Sequence, residues 1–319
     1  MPVGQAARRR RLARLLRTAA IAAAVLAVCA IATVAACSRR VAAPPPTPAA
    51  VHAAVTLPEI VRQVRSVEVT VPPALKAQPA FDHERYAAAP IQSVVTDRRE
   101  VALTFDDGPS PATPNFLATL ASHKAHATFF VVGYRAWHFP DSVYRIVSEG
   151  NEVGSHTWSH VELKKLGPAE LRMQIDRAQG MLARETGRPP LFIRPRSGKY
   201  DVQGAAAAKS RGLVMVLWSA HANDIGNILL PDQLVRNALA GVHPGSIILM
   251  HETNPNTLLA LPKILAELKR KGLKPVTLSR LLADAKKPVP TTSGGPGYHH
   301  PAHPGRPGVP LVPARAVVN

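Results

Sequence analysis

The chain runs to 319 residues, 46% hydrophobic and 5% aromatic, with a formal net charge of +18. Eight of the basic residues crowd positions 8–40 and four lie at 286–315, where no acidic residue offsets them, so residues 41–285 carry only +6. With so few aromatic rings and no basic stripe at helical spacing, that balance excludes a nucleic-acid binder; a mildly basic body suits an anionic cell envelope instead.

Residues 1–40 join an arginine-rich start to an uncharged run at 18–36, the layout of an export signal. Both cysteines, Cys29 and Cys37, lie here, so the exported body has neither a disulfide nor thiol chemistry. Val34-Ala-Ala-Cys37 resembles the lipobox of bacterial lipoproteins, in which Cys37 would carry the lipid. The alternatives are an uncleaved transmembrane anchor, its arginines held inside, and ordinary cleavage. In each case the body faces the envelope outside the cytoplasm, held to the membrane in the first two. Residues 41–94 form a tether rich in Pro and Ala (Pro44, Pro45, Pro46, Pro48) and an N-terminal extension with an alternating, strand-like stretch at 67–71. The catalytic body is expected at 95–286 and a disordered Pro/Gly/His-rich tail at 287–319, whose His299, His300 and His303 read as solvated.

From 101 to about 285, short apolar runs alternate with stretches of helical period, which marks a β/α domain. Strands are predicted at 101–105, 127–132, 152–153, 191–193, 213–218, 246–250 and 275–277. Helices are predicted at 114–122, 143–149, 168–186, 203–210, 231–240, 257–270 and from 279 onward. These seven strand–helix units in about 185 residues suit an α/β fold of the distorted or incomplete (β/α) barrel type, since a full eightfold barrel needs ~250 residues. Every polar motif follows a predicted strand, where parallel β/α folds build their sites.

The apolar run Val101-Ala-Leu-Thr-Phe105 delivers Asp106 and Asp107 to a turn built from Gly108 and Pro109. His156 and His160, four positions apart, face the same way on a helix and also converge in a tight turn. A carboxylate from the first motif would complete a three-ligand metal site whose open position takes a water, with a pKa lowered toward ~7. The two motifs together point to a metal-dependent hydrolase.

The ordered set of motifs resembles the polysaccharide deacetylases, the family 4 carbohydrate esterases with a NodB homology domain, over roughly residues 95–285. Thr-Phe-Asp-Asp-Gly at 104–108 and His-Thr-Trp-Ser-His at 156–160 carry the likeness most specifically. The resemblance implies Asp106 as general base and Asp107, His156 and His160 as ligands of Zn2+, or of another first-row ion such as Co2+. A carboxylate held by the ion is neutralised, whereas its neighbour stays free to take a proton from water.

Arg194-Pro-Arg-Ser-Gly198 stands where the family usually shows Arg-Pro-Pro-Tyr-Gly. Arg194 would pair with the catalytic aspartate, and the backbone N–H of Ser197 would donate to the oxyanion. Arg196 and Ser197 are departures that exchange an aromatic wall for charge. In Leu217-Trp-Ser-Ala-His-Ala-Asn-Asp-Ile225 the pattern Asp-x-x-Asp-Trp survives only at Asp224, with His221 and Ile225 departing and Trp218 taken as a substrate contact. Ile247-Ile-Leu-Met-His251 is similar to Leu-x-His, which makes His251 the general acid, Asp224 the partner that raises its pKa, and Leu249 the wall of the acetyl pocket.

The implied reaction releases acetate from N-acetylglucosamine units of peptidoglycan, an exopolysaccharide or chitin-like oligomers. The departures keep two alternatives in play: a catalytically weak glycan-binding scaffold of the envelope, and a hydrolase of another acyl group such as an O-acetyl ester or a small-molecule amide.

Overall fold

The computed structural model describes residues 78–227 and 229–290. The export segment, the Pro-rich tether, the strand-like stretch at 67–71 and the tail histidines lie outside these residues. Among the described residues no helix is long and apolar enough to cross a membrane.

In chain order the elements are α1 (His83–Tyr86), β1 (Ile91–Val95), β2 (Glu100–Asp106), α2 (Thr113–Ser122), β3 (Thr128–Val131), α3 (Gly133–His138), α4 (Pro140–Ser148) and β4 (Glu152–Ser155). There follow α5 (Pro168–Thr186), β5 (Phe192–Ile193), α6 (Val202–Lys209), β6 (Val214–Met215), β7 (Ala220–His221), α7 (Pro231–Ala238), β8 (Ile247–His251), α8 (Pro255–Arg270), β9 (Lys274–Val276), α9 (Leu278–Ala283) and β10 (Lys287–Pro290). Their ends follow from local chemistry. Helix α5 starts on Pro168, whose fixed φ suits the first turn, and stops at Gly187 with φ of 71°. Helix α8 is capped by the Asn254 side chain, which accepts from the N–H of Asn256.

Strand pairing is parallel throughout the main sheet, in the order β6-β5-β4-β3-β2-β8-β7, with β9 beside the first half of β2. This curled, incomplete (β/α) barrel is the architecture that the alternating pattern predicts. Strand β2 is buried at every position, as a central strand covered on both faces must be. Its period of two then sorts the side chains. Val101, Leu103 and Phe105 enter a core shared with Phe116 and Leu117 of α2 and Leu261 and Ile264 of α8, whereas Ala102 enters a second core inside the curl. Asp106 follows the parity of Ala102 and so points into the curl. Strand β8 repeats the rule, with Ile248 and Met250 outward and Ile247 and Leu249 inward, which sends His251 inward as well. In register, Asp106 stands opposite His251.

The structure departs from the predicted elements in several places, among them the unpredicted strand β1. The run at 213–218 splits: β6 holds only Val214 and Met215 at one sheet edge, and the chain crosses to the opposite edge for β7. Helix α3 has only six residues, too short to show a period. The short helix α1 lies ahead of the predicted body and sends Tyr86 into the inner core. Finally, Lys287–Pro290 is a strand where a disordered tail was expected, paired antiparallel with β1 so that Ser93 faces Val289. Pro288 and Pro290 have no N–H to give that ladder, which a two-stranded edge pair tolerates.

Candidate active site

Asp106 at the end of β2 is 3% exposed. Arg194, one residue beyond β5, is fully buried and donates from Nη1 to Asp106 Oδ1 at 2.8 Å. The same guanidinium donates to Thr104 Oγ1 and to the carbonyls of Val216 and Leu217, and lies over the Phe130 ring at 4.0 Å. With its donors engaged on several sides and its charge matched by Asp106, Arg194 is a satisfied buried cation. Its placement ties the ends of β2, β5 and β6 to one carboxylate.

Asp107 follows in the left-handed region at φ of 73°, which turns its side chain away from that of Asp106. The loop after β4 comes to meet it: Thr157 and His160 also have positive φ, at 67° and 56°. This tight turn, rather than a helix, brings the two imidazoles together, with ring centroids 4.8 Å apart. Asp107 Oδ1 lies 3.1 Å from His160 Nε2 and 3.5 Å from His156 Nε2. Each residue offers one ligand atom, and these three atoms lie within 4.8 Å of one another. Asp107 Oδ1 is buried and has no hydrogen-bond partner among the described residues, although a carboxylate oxygen left so is costly.

His156 Nδ1 lies 2.7 Å from the Arg194 carbonyl, which fixes the proton on Nδ1 and turns Nε2 toward Asp107. Burial, reinforced by the charges of His156, Arg196 and His251, outweighs Asp107 and lowers the His160 pKa to about 3, so its imidazole is neutral at neutral pH. Burial would raise the Asp107 pKa, but the adjacent imidazoles pull it well below the usual carboxylate range. Burial disfavours the His156 imidazolium, but Asp106 and Asp107 beside it outweigh that and raise its pKa, so a bound cation would have to displace its proton. One carboxylate oxygen and two imidazole nitrogens around a common point form the donor set of a three-ligand site for a divalent ion, so the residues fit the metal that the motifs imply.

Across the mouth stands His251. Its Nδ1 lies 2.8 Å from Asp224 Oδ1, and its backbone N–H donates to Asp224 Oδ2 at 2.7 Å. Asp224 is 2% exposed and is held in turn by the Thr257 hydroxyl and, through its carbonyl, by Asn254. Burial disfavours the His251 imidazolium, yet Asp224 more than compensates, raising its pKa to about 9. Thr257 and Asn254 lie outside the motifs; their one signal is the Asn254-Pro255 start of α8.

Ser197, half-buried at φ of 55°, lies in the 3-10 turn Arg196–Gly198 beside Arg194. Leu249, 2% exposed, stands between Thr104 and His221 in register, as an apolar wall would. Trp218 corrects the sequence reading. It is 1% exposed, within the inner core and 5.7 Å from the Arg194 guanidinium, so it has no face to offer a sugar and supports Arg194 instead. His221 is half-buried on β7, where burial lowers its pKa against the pull of Asp224.

Sequence reasoning missed Glu252. Its N–H donates to the Asp106 carbonyl at 3.0 Å, and its Oε1 accepts from the Ser110 N–H and hydroxyl, both at 3.0 Å, and from the Thr113 hydroxyl. It thereby grips both ends of the turn that carries the aspartates. A Cβ on Gly108 would lie 1.8 Å from Glu252 Oε2, so only glycine admits this clamp.

Comparison with known proteins places the chain in a family. A family model for polysaccharide deacetylase matches residues 93–216. A peptidoglycan-N-acetylglucosamine deacetylase of Bacillus cereus is 39% identical over 209 residues, covering 64% of this chain and 75% of that protein. The peptidoglycan-N-acetylglucosamine deacetylase PgdA of Listeria monocytogenes is 36% identical over 187 residues, which is 58% of this chain but only 39% of that longer relative. The crystal structure of a peptidoglycan N-acetylglucosamine deacetylase superposes with a TM-score of 0.59 at 38% identity, covering 64% of this chain and 96% of that one. The chain belongs to the polysaccharide deacetylase family.

Proposed function

We propose that this protein is a metal-dependent N-deacetylase that releases acetate from N-acetylglucosamine units of an envelope glycan. The observation that carries the reading is the meeting, at one end of the parallel sheet, of the Asp107–His156–His160 donor set with the Asp106–Arg194 and His251–Asp224 pairs. A divalent ion held by those donors, Zn2+ by the match of two imidazoles and one carboxylate or Co2+ in the same site, supplies Lewis-acid polarisation of the acyl carbonyl and a more acidic water.

The chain's own residues do the rest. Asp106, fixed by Arg194, accepts a proton from the attacking water. The Ser197 N–H faces the developing oxyanion. His251 then gives its Nε2 proton to the departing nitrogen, and Asp224 stabilises the imidazolium until it does. The N-acetylglucosamine deacetylation named for the relatives favours an acetamide over an O-acetyl ester. A scaffold role is disfavoured because the acid, base and donor groups are all retained despite Arg196, Ser197 and His221.

The export-like start and the peptidoglycan substrates named for relatives support a place in the envelope, with the membrane reached through Cys37 lipidation or a single N-terminal helix. His160→Ala tests the donor set apart from activity. The wild type is expected to hold one zinc per chain by elemental analysis and the variant to lose it with an unchanged circular dichroism spectrum; stoichiometric zinc in the variant would sink the assignment.

A further inference from the structure

We propose that Tyr134 and Trp137 form a sugar-stacking platform that extends the cleft and takes a pyranose ring beyond the one whose acetamide reacts; this rests on the glycan reading above. Tyr134 is 41% exposed and Trp137 57%, and they are the only aromatic members of the exposed large hydrophobic set among the described residues. Three positions apart on α3, they share a face.

Helix α3 is bound to the loop of the metal donors. The Gly133 N–H donates to the Thr157 carbonyl at 2.9 Å and the Tyr134 N–H to the Trp158 carbonyl at 2.8 Å, both acceptors lying between His156 and His160 in sequence. The rings continue that link outward. Tyr134 meets Trp158 edge-on with centroids 6.4 Å apart, and Trp137 lies 6.1 Å from Tyr134. Trp158 is itself pinned, with the Arg177 guanidinium 3.8 Å over its ring and its edge where a Cβ on Gly133 would be 2.7 Å away. The platform is therefore referenced to the donor set through packed side chains, and does not hang on a mobile tip.

Two large rings left in water cost free energy unless a partner covers them. The patch has the chemistry of a sugar site: flat apolar faces for the C–H face of a pyranose, rimmed by polar groups that can reach its hydroxyls. Those groups are the Tyr134 phenol, the Trp137 indole N–H and the His138 imidazole, whose ring lies 4.6 Å from that of Tyr134. Its continuity with the donor loop selects the polymer being deacetylated as the occupant, rather than a lipid surface or a protein.

The test compares the zinc-loaded full chain with Trp137→Ala and Trp137→Phe on an N-acetylglucosamine disaccharide and a hexasaccharide. Trp137→Ala is expected to raise KM for the hexasaccharide between about twofold and tenfold relative to the disaccharide, as loss of one aromatic contact implies, with Trp137→Phe largely restoring it. An unchanged KM ratio overturns the platform while leaving the deacetylase reading intact. No acetate from either glycan with the wild type would sink that reading, and the platform would then be decided by calorimetric affinity for the hexasaccharide, equal affinities overturning it. Vesicle binding that Trp137→Ala abolishes, with unchanged glycan KM or affinity, also overturns it in favour of a membrane contact.

Discussion

At the scale of single residues, the site is a set of charges whose environments push them apart. His251 and His160 are both imidazoles at one mouth, yet Asp224 lifts the first to about 9 and burial drops the second to about 3. These environments suit the roles proposed for them, the first as a proton donor and the second as a neutral ligand. In the metal-free protein, the His251 ring should titrate by NMR near pH 9, and Asp224→Asn should bring its midpoint down, since only the weaker pull of Asp107 and Asp106 then opposes burial. A midpoint unmoved by Asp224→Asn would remove Asp224 from its assigned role. That the residues proposed as acid, base and ligands would meet at one rim was legible because the chemistry demands particular residue types at strand ends, and apolar runs reveal those ends. Trp218 was misread for the opposite reason: an aromatic ring beside a polar motif looks the same in sequence whether it faces a sugar or a buried guanidinium.

At the scale of elements, β8 does two jobs, with His251 entering the mouth and Glu252, one residue on, clamping the turn between β2 and α2. That second job was invisible in sequence, because its partners Ser110 and Thr113 are joined to it only by the parallel pairing of β2 and β8. Burial raises the Glu252 pKa to about 7 against the pull of those hydroxyls, well above the ordinary value of 4.5. A raised acid stabilises the fold while protonated: its contribution is full below the unfolded pKa and is lost as pH rises through the folded one. Glu252→Gln keeps the shape and the Oε1 acceptor without the ionisation. Its unfolding free energy relative to wild type, measured by denaturant titration, should therefore increase from pH 5 to pH 8, by up to about 3 kcal/mol at ~1.4 kcal/mol per unit. An equal pH dependence for the two proteins would place the charge elsewhere. The long elements were legible because their period runs for several turns, as in α5 and α8. Helix α3 and the β6–β7 crossover were not, because six residues and a pair of two-residue strands carry no period.

At the scale of the whole molecule, a curled parallel sheet gathers residues distant in sequence onto one rim, and most of the basic excess is kept out of the catalytic body. The proposed division into export segment, Pro-rich tether, catalytic body and tail follows composition, and the body takes in β1 and β10, which pair across almost its full length. That pairing was hidden because composition marks Lys287–Pro290 as tail, and only a partner strand reveals it otherwise. At that rim, on the proposed reading, an N-acetylated glycan is deacetylated with the aid of a bound ion. The direct measurement is acetate release by the zinc-loaded full chain from peptidoglycan and N-acetylglucosamine oligomers, beside Asp106→Asn and beside wild type stripped by chelator. Release by the loaded wild type should fall at least ~100-fold in Asp106→Asn, as loss of a general base implies, and vanish on chelation. No release from any glycan by protein with zinc bound, or full release by Asp106→Asn, would contradict that reading.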